Sequence, residues 1–297
     1  MNAAAGWRIG AGDSGYPSCL RELGEAVTPG LHGVGRRSVI SGFDNATAVT
    51  IVGARRASGY GLRAAEAIAR ELATVGVTIV SGMALGIDAA AHRGALAGAG
   101  TTVAVLAGGP DLVYPAMHRD LYREIVASGA VISEYPPGTA ARKQNFPARN
   151  RIMAALGGVV LIVEAAQPSG SLITAEVAAR IGRTVGAVPG QVGVGVAAGT
   201  NQLIKDGAHL VRDARDVLDL LFGVGSGGPR RHGPELEAPL RAVLDLVEAG
   251  AVSVDRISVG AEIAPREAAV ALARLELLGY VCAGAAGDFR RSGLAPP

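Results

Sequence analysis

Residues 48–61 read AVTIVGARRASGYG, and the change of pattern within this stretch indicates the fold class. Residues 48–54 are an apolar run rich in β-branched side chains, which predicts a strand buried on both faces. Polar and glycine residues follow, and a helical pattern runs from Gly61 to about Val75. A buried strand that passes through a glycine-containing turn into a helix is typical of parallel α/β sheets.

The same alternation continues to about residue 190. Further strands are predicted at 77–82, 101–109, 130–135, 158–166 and 184–190. Helices are predicted within 86–100, near 116–128, in a short segment after residue 151, and at 171–182. This order predicts a Rossmann-like, doubly wound, mostly parallel sheet with right-handed crossovers. The ligand crevice of such a sheet lies at the carboxyl ends of its strands.

The regions outside this alternation divide the chain further. Residues 1–46 carry turn signals and little periodicity, and we expect an extended segment and a short helix packed on the main domain, 47–222. Residues 223–234, GVGSGGPRRHGP, have the composition of a linker. Residues 235–297 show three helical patterns and a short hairpin, which predicts a small winged-helix-like domain.

The charge of the chain is close to balanced, with 28 Lys+Arg against 26 Asp+Glu in 297 residues. Residues 1–222 hold 20 against 17 of these, and residues 223–297 hold the remaining 8 against 9. A polyanion would therefore bind the first part more readily. The two cysteines fit no metal spacing or disulfide framework, and we expect no cofactor. No signal peptide or membrane-spanning run is apparent, so a cytoplasmic protein without a membrane partner is expected.

Four loops at predicted strand ends are rich in small and polar residues: 53–61, 81–88, 142–151 and 168–174. Glycines let a backbone approach a ligand closely, and the N–H groups at helix starts attract anions. Cations in these loops would supply the charge for phosphate. The candidate ligands here are Arg55, Ser81, Gly82, Ser169, Gly170 and Ser171.

The loop RKQNFPARNR, residues 142–151, holds four cations and no acid. It contains one of the chain's four phenylalanines, Phe146, and one of its two lysines, Lys143. A basic groove with an aromatic ring suits single-stranded nucleic acid, since the cations follow the phosphates and the ring stacks on an unpaired base. The candidate contacts are Lys143, Phe146, Arg149, Asn150 and Arg151. An ordinary core position for Phe146 is the alternative.

Several stretches of the chain resemble, in order and spacing, the motifs of the DNA-processing protein A family (DprA, also called Smf): VGARRASGYG, SGMALGIDAAAH, LAGGPDLVYP, EYPPG, NFPARNRIMAAL, EAAQPSGSLITAEVA, and AVPG followed by GTNQLIKDGA. The resemblance is dense over residues 16–222 and loose beyond. It implies an extended Rossmann fold, single-stranded DNA binding without catalysis, loading of the RecA recombinase, a role in natural transformation, and a homodimer formed through the Rossmann domain. It also assigns the DNA pocket to Arg55, Lys143, Phe146 and the run Arg149, Asn150 and Arg151.

The chain departs from the family pattern at several points. Ala54 stands where the family turn has serine, and His118 where asparagine is common. We expect the N-terminal helical domain of many members to be absent or reduced to a remnant. In the predicted recognition helix, 265–278, two arginines are offset by Glu267 and Glu276, which favours a protein-contact module over a major-groove reader.

The residues also allow three other interpretations. A phosphoribohydrolase-type enzyme on a related fold would use Glu176 near a phosphate-binding loop, although PSGSLIT has few glycines for such a loop. A regulator would bind duplex DNA through the winged helix, against the near-neutral charge of that region. Asp88 and His92, one helical turn apart, could form half a metal site, but a helix-stabilising pair is the preferred interpretation. No metal and no catalytic residue are therefore expected.

Overall fold

The computed structural model describes residues 6–225, 231–232, 234–283, 289–291 and 294–295. The chain divides into two compact units, Met1–Gly227 and Gly228–Pro297. Much of the linker predicted at 223–234, namely residues 226–230 and 233, lies outside the described residues.

A mostly parallel sheet forms the centre of the first unit. Its strands in chain order are β1 (Trp7–Gly10), β2 (Gly30–Gly35), β3 (Ala48–Val52), β4 (Thr78–Ser81), β5 (Thr102–Val105), β6 (Ala130–Ser133), β7 (Val159–Ile162), β8 (Thr184–Ala187) and β9 (His209–Leu210). Their order across the sheet is β1-β2-β6-β5-β4-β3-β7-β8-β9. The pairs from β6 to β9 are parallel, while β1–β2 and β2–β6 are antiparallel. The Rossmann-like prediction is confirmed, and all six predicted strands are present.

Helices cover the parallel strands: α1 (Gly59–Thr74), α2 (Ile87–Ala97), α3 (Arg119–Ser128), α4 (Asn145–Leu156), α5 (Gly170–Arg180), α6 (Ala198–Lys205) and α7 (Ala214–Phe222). Three apolar clusters pack on the sheet, one built with α4 and α5, one with α1, α2 and α7, and a smaller one with α3. The central strands are buried along their whole length, as in β3 and β7. On one side of β3 the sheet continues with β4, β5 and β6, and on the other side with β7, β8 and β9. The β3–β7 boundary is therefore the topological switch point.

Two strands within residues 7–35 extend the sheet, which was not predicted from the sequence. β1 and β2 form an antiparallel pair on β6, with a short 3₁₀ segment, Ser18–Ala26, between them. Four of the six residues in β2 are glycine or histidine, so it lacks the β-branched run that marks a strand. A Cβ on Gly33 would overlap the indole of Trp7, whose Nε1 donates to Gly35 O at 3.0 Å. This long-range packing holds a weak strand sequence in the sheet.

The second unit has a helical core of α8 (Ala238–Glu248), α9 (Val254–Ala261) and α10 (Pro265–Leu277). The strands β11 (Val281–Ala283) and β12 (Phe289–Arg291) pair antiparallel, and their connection lies outside the described residues. Two short parallel strands, β10 (Arg231–His232) and β13 (Leu294–Ala295), complete it. Leu244, Ile257, Leu272 and Tyr280 are fully buried in its core. Three helices followed by a hairpin match the expected winged-helix-like module.

Candidate functional site

A pocket of about 350 Å³ opens at the switch point, where the loops after β3 and β7 meet α4. Its wall combines cationic, aromatic, hydroxyl and glycine groups from four separate segments of the chain. The polar, aromatic and glycine residues that line it include Gly53, Arg55, Asp88, Phe146, Arg149, Asn150, Ser169, Gly170, Ser171 and Thr174. Seven of the eleven candidate binding residues named from the sequence line the pocket. The four that do not are Lys143, Ser81, Gly82 and Arg151.

The N-terminus of α5 forms one wall of the pocket. Ser169 caps this helix by accepting from Ser171 N at 3.3 Å, and the two hydroxyl oxygens lie 2.8 Å apart. Asn150 Nδ2 donates to Gly170 O at 3.1 Å and ties the cap to α4. Such a helix start favours an anion because its first N–H groups carry partial positive charge. Thr174, one turn further in, is fully buried.

Two polar atoms in the pocket wall are buried without a partner among the described residues, Arg149 Nε and Thr174 Oγ1. Buried polar atoms are normally hydrogen-bonded, so unpaired ones at a cavity indicate that the site takes a polar occupant. Both can donate a proton. Together with the α5 start, they favour an occupant with acceptor oxygens.

An aromatic and cationic stack stands at the mouth of the pocket. The Arg55 guanidinium lies over the Phe146 ring, 4.9 Å from its centroid. Tyr114 packs against the same ring with centroids 5.8 Å apart and an interplanar angle of 58°. Both Arg55 and Tyr114 are exposed to solvent. Phe146 is therefore half-buried between two solvent-facing side chains and is not part of the apolar core, which was the alternative interpretation.

The basic cluster is mostly helical, whereas the sequence analysis placed it in a loop before a helix. α4 begins at Asn145, so Phe146 and Arg149, three residues apart, share one face of the helix, while Arg151 leaves it in a different direction. Lys143 precedes the helix and is exposed to solvent. Helical geometry thus separates cations that are close in sequence.

Arg151 points away from the pocket. Its Nη1 and Nη2 donate to the two Glu134 carboxylate oxygens at 2.9 and 2.7 Å, and its Nε donates to Ala26 O at 2.7 Å. This bidentate pair is mostly buried, and Glu134 neutralises the charge that was expected to bind phosphate. In this structure Arg151 joins α4 to the strand end after β6, and its DNA contact stays a prediction.

Arg149 lines the pocket but is only 4% exposed. Its Nη1 donates to Val105 O at 2.5 Å, and a Cβ on Gly82 would overlap the guanidinium. Burial lowers the pKa of Arg149 to about 10, and the nearby Asp88 acts against this, so the group stays charged at neutral pH. Burial raises the pKa of Asp88, while Arg149 opposes that shift. Arg149 and Asp88 are thus two buried ionisable groups in the pocket wall, and each shifts the pKa of the other toward the charged form.

Ser81 and Gly82 support the site from behind and do not line it. The Ser81 hydroxyl donates to Ile51 O at 2.6 Å and is fully buried between β4 and β3. Gly82 leaves the space that the Arg149 guanidinium fills. The side chain of Ser81 therefore cannot reach a ligand in this arrangement, and its expected phosphate contact is not part of the site.

Glu164 was not identified from the sequence. This carboxylate, 4% exposed, follows β7 and accepts from Ser58 N at 2.8 Å and Ser58 Oγ at 2.5 Å. Its backbone oxygen also accepts from Ala54 N at 2.7 Å. A carboxylate at the start of α1 is stabilised by the helix dipole, and here it fixes the turn that carries Arg55. The sequence signal that could have identified Glu164 is an acid placed after the wholly apolar strand β7, with only Val163 between them.

His92 does not pair with Asp88 as the sequence analysis expected. Its Nδ1 lies 2.7 Å from Thr102 Oγ1, which itself donates to Ile79 O, so His92 Nδ1–H is the donor. His118, the departure from the family pattern, is buried with Nδ1 3.0 Å from Met83 O. Within the described residues, no group of three or more His, Cys, Asp or Glu side chains could hold a metal ion.

We predict that His92 makes the fold acid-sensitive. Burial lowers its pKa from 6.5 to about 3, with Arg149 and His118 acting in the same direction. As pH falls below 6.5, the unfolded chain binds the proton first, and the free energy of unfolding should fall by about 1.4 kcal/mol per pH unit, or about 2 kcal/mol by pH 5. Urea denaturation at several pH values measures this slope. The His92→Gln variant should lose the contribution of His92 to the pH dependence of the free energy of unfolding. An equal slope in both proteins would contradict the prediction.

Glu176, the residue on which the enzyme interpretation depends, lies outside the pocket. It is exposed on α5 and faces a separate groove that also contains Arg183 and His209.

In the second unit, the Arg274 Nη2 lies 3.3 Å from Glu237 Oε2, and Glu267 accepts from Ala264 N at 3.1 Å. Among the described residues, no helix has the length and apolar character to cross a bilayer.

Comparison with known proteins agrees with this architecture. A family model described as DNA recombination-mediator protein A matches residues 7–222, and one described as DprA winged helix domain matches residues 228–287. A DNA processing protein DprA from Mycobacterium tuberculosis is 41% identical over 238 residues, covering 78% of this chain. The aligned part is 61% of that relative, so the chain spans less than two thirds of its length.

Two solved structures share the fold. DNA processing protein A from Streptococcus pneumoniae has a TM-score of 0.67 and 39% identity, covering 71% of this chain and 73% of that one. DNA processing protein A from Helicobacter pylori, which has a single-stranded DNA binding mode, has a TM-score of 0.65 and 29% identity, covering 74% and 97%. The first family model matches most of this chain, including every segment that lines the pocket. The chain therefore belongs to the DNA recombination-mediator protein A (DprA/Smf) family of DNA-processing proteins.

Proposed function

We propose that this protein binds single-stranded DNA without sequence preference through the pocket and the surface around Arg55, Lys143 and Phe146. The phosphates would lie along the exposed cations and at the start of α5, and unpaired bases would stack on the aromatic side chains. The observation that carries this proposal is the exposed Arg55 stacked on Phe146, beside a pocket whose buried Arg149 Nε and Thr174 Oγ1 have no partner among the described residues.

The family supports a wider role. A relative of the same fold has a single-stranded DNA binding mode. We extend the proposal to protection of single-stranded DNA in the cytoplasm and to promotion of RecA loading, in homologous recombination and natural transformation. A homodimer formed through the Rossmann domain and a non-catalytic role belong to the same proposal. The ion pair between Arg274 on α10 and Glu237 favours a protein contact for the second unit over a duplex reader.

Titration of fluorescent oligo-dT at several salt concentrations tests the proposal, with a duplex of the same length as competitor. Each phosphate neutralised on a single strand adds about 0.7 to the slope of log K against log salt. We predict that Lys143→Ala lowers this slope by about 0.7 to 1. The matched control is Lys205→Ala, which removes the other lysine, also exposed but outside the pocket lining. Equal slopes for the two variants would contradict a phosphate contact at Lys143.

Phe146→Ala should weaken oligo-dT binding with little change in salt slope, because the ring carries no charge. Tight, salt-dependent binding with poor competition by duplex supports the proposal. Absence of oligo-dT binding would refute it, and release of free base from a nucleoside monophosphate would then be measured. The position of Glu176 outside the pocket argues against that activity.

A further inference from the structure

Tyr114 is an exposed aromatic side chain beside the pocket but outside its lining. It lies on the loop between β5 and α3, and 53% of its surface is accessible. Its ring contact is with Phe146, which does line the pocket. This places a solvent-facing aromatic ring at the point where a strand leaving the pocket would pass.

The Tyr114 hydroxyl has no hydrogen-bond partner among the described residues, and of the other five tyrosines only Tyr135 shares this property there. Hydroxyls of four other tyrosines donate to backbone carbonyls: Tyr16 to Thr28, Tyr60 to Pro189, Tyr122 to Pro110 and Tyr280 to Pro234. Those side chains are held by the fold through their polar ends. Tyr114 instead rests on one aromatic neighbour and presents the rest of its ring to solvent.

Phe146 by itself offers less stacking surface than its sequence position suggests. The Arg55 guanidinium covers one face of its ring, and Tyr114 packs against it at 58°. A base could use the covered face only if Arg55 moved away. Tyr114 and Arg55 are the solvent-exposed members of the cluster, and both kinds of side chain stack on unpaired bases.

We propose that Tyr114 is a nucleobase-stacking residue, and that it extends the binding surface by one nucleotide beyond the pocket. This inference rests on the proposed single-stranded DNA binding. Phe146, besides lining the pocket, supports Tyr114 and Arg55 through its ring. Since the Tyr114 and Phe146 rings are inclined by 58°, a base lying on Tyr114 cannot be parallel to one lying on Phe146. Bound bases would be splayed at this point, which duplex DNA does not permit.

The test compares oligo-dT with a backbone of equal length in which abasic sites replace the bases, using the full chain. Tyr114→Ala should weaken oligo-dT binding by about 5- to 150-fold, since stacking is worth about 1–3 kcal/mol per base. Binding of the abasic strand and the salt slope should stay unchanged, because Tyr114 contributes no charge. Tyr114→Phe keeps the ring and should bind oligo-dT within about twofold of the wild type.

Tyr114→Leu separates stacking from packing against Phe146. Leucine keeps apolar bulk on Phe146 but has no π-face, so the inference requires Tyr114→Leu to lose affinity as Tyr114→Ala does. Wild-type affinity in Tyr114→Leu, or equal losses on oligo-dT and the abasic strand, would overturn it and leave the proposed function standing. A wild-type chain that binds neither strand would overturn both.

Discussion

Arg149→Met is expected to lower the free energy of unfolding by about 1.5–3 kcal/mol, because it removes a buried hydrogen bond from a charged donor to Val105 O and the electrostatic interaction with Asp88. Arg149 and Asp88 are each 4% exposed, and Arg149 also donates to Val105 O. Methionine fills much of the arginine volume, so the loss reports the missing charge and hydrogen bond more than a cavity. Arg93→Met on the exposed face of α2 is the control and should change stability by less than about 0.5 kcal/mol.

The Asp88→Asn substitution completes a double-mutant cycle with Arg149→Met. If the two charges stabilise each other, the double variant is less destabilised than the sum of the single ones, because no unpaired buried charge remains. Chemical denaturation at neutral pH measures all four proteins. Additive losses would contradict the pair. A normally stable Arg149→Met protein that fails to bind oligo-dT would show instead that Arg149 serves chiefly as a phosphate contact.

Gly86→Ala is the second substitution with a large expected effect, a loss of about 3 kcal/mol or more in the free energy of unfolding. Gly86 has a φ of 79°, and a Cβ there would overlap Ala54 O and crowd Arg55 O. The backbone of the turn that carries Arg55 must therefore move. Oligo-dT affinity should fall as well, although Gly86 has no side chain that could contact DNA.

Gly138→Ala is the matched control for this prediction. Gly138 has the same φ of 79°, but nothing lies within 4 Å of the position where its Cβ would be. Its substitution reports the cost of the backbone conformation alone. The free energy of unfolding should fall by about 1 kcal/mol, and oligo-dT binding should stay unchanged. Equal stability losses in the two variants would show that the contact with the Arg55 turn carries no energy.

The central part of the fold could be predicted because its signal is local. Each of the six apolar runs is short, β-branched and followed by a helix, so the strands and their parallel arrangement follow from neighbouring residues. β2 and β9 could not be found in this way. β2 is rich in glycine, β9 has two exposed residues, and both are strands because of the partners beside them.

The amino-acid sequence by itself determined the parallel sheet, the convergence of its loops at one edge, and the placing of Arg55, Phe146 and the α5 start around one pocket. The tertiary structure alone decided which cations remain free. The fold buries Arg149 near Asp88, pairs Arg151 with Glu134, and packs Tyr114 against Phe146. Hydrophobic periodicity is read over a few residues, whereas the partner of a charge or a ring is set by contacts between distant segments. A cluster of like charges in sequence therefore predicts a site, and the fold selects which members of it can reach a ligand.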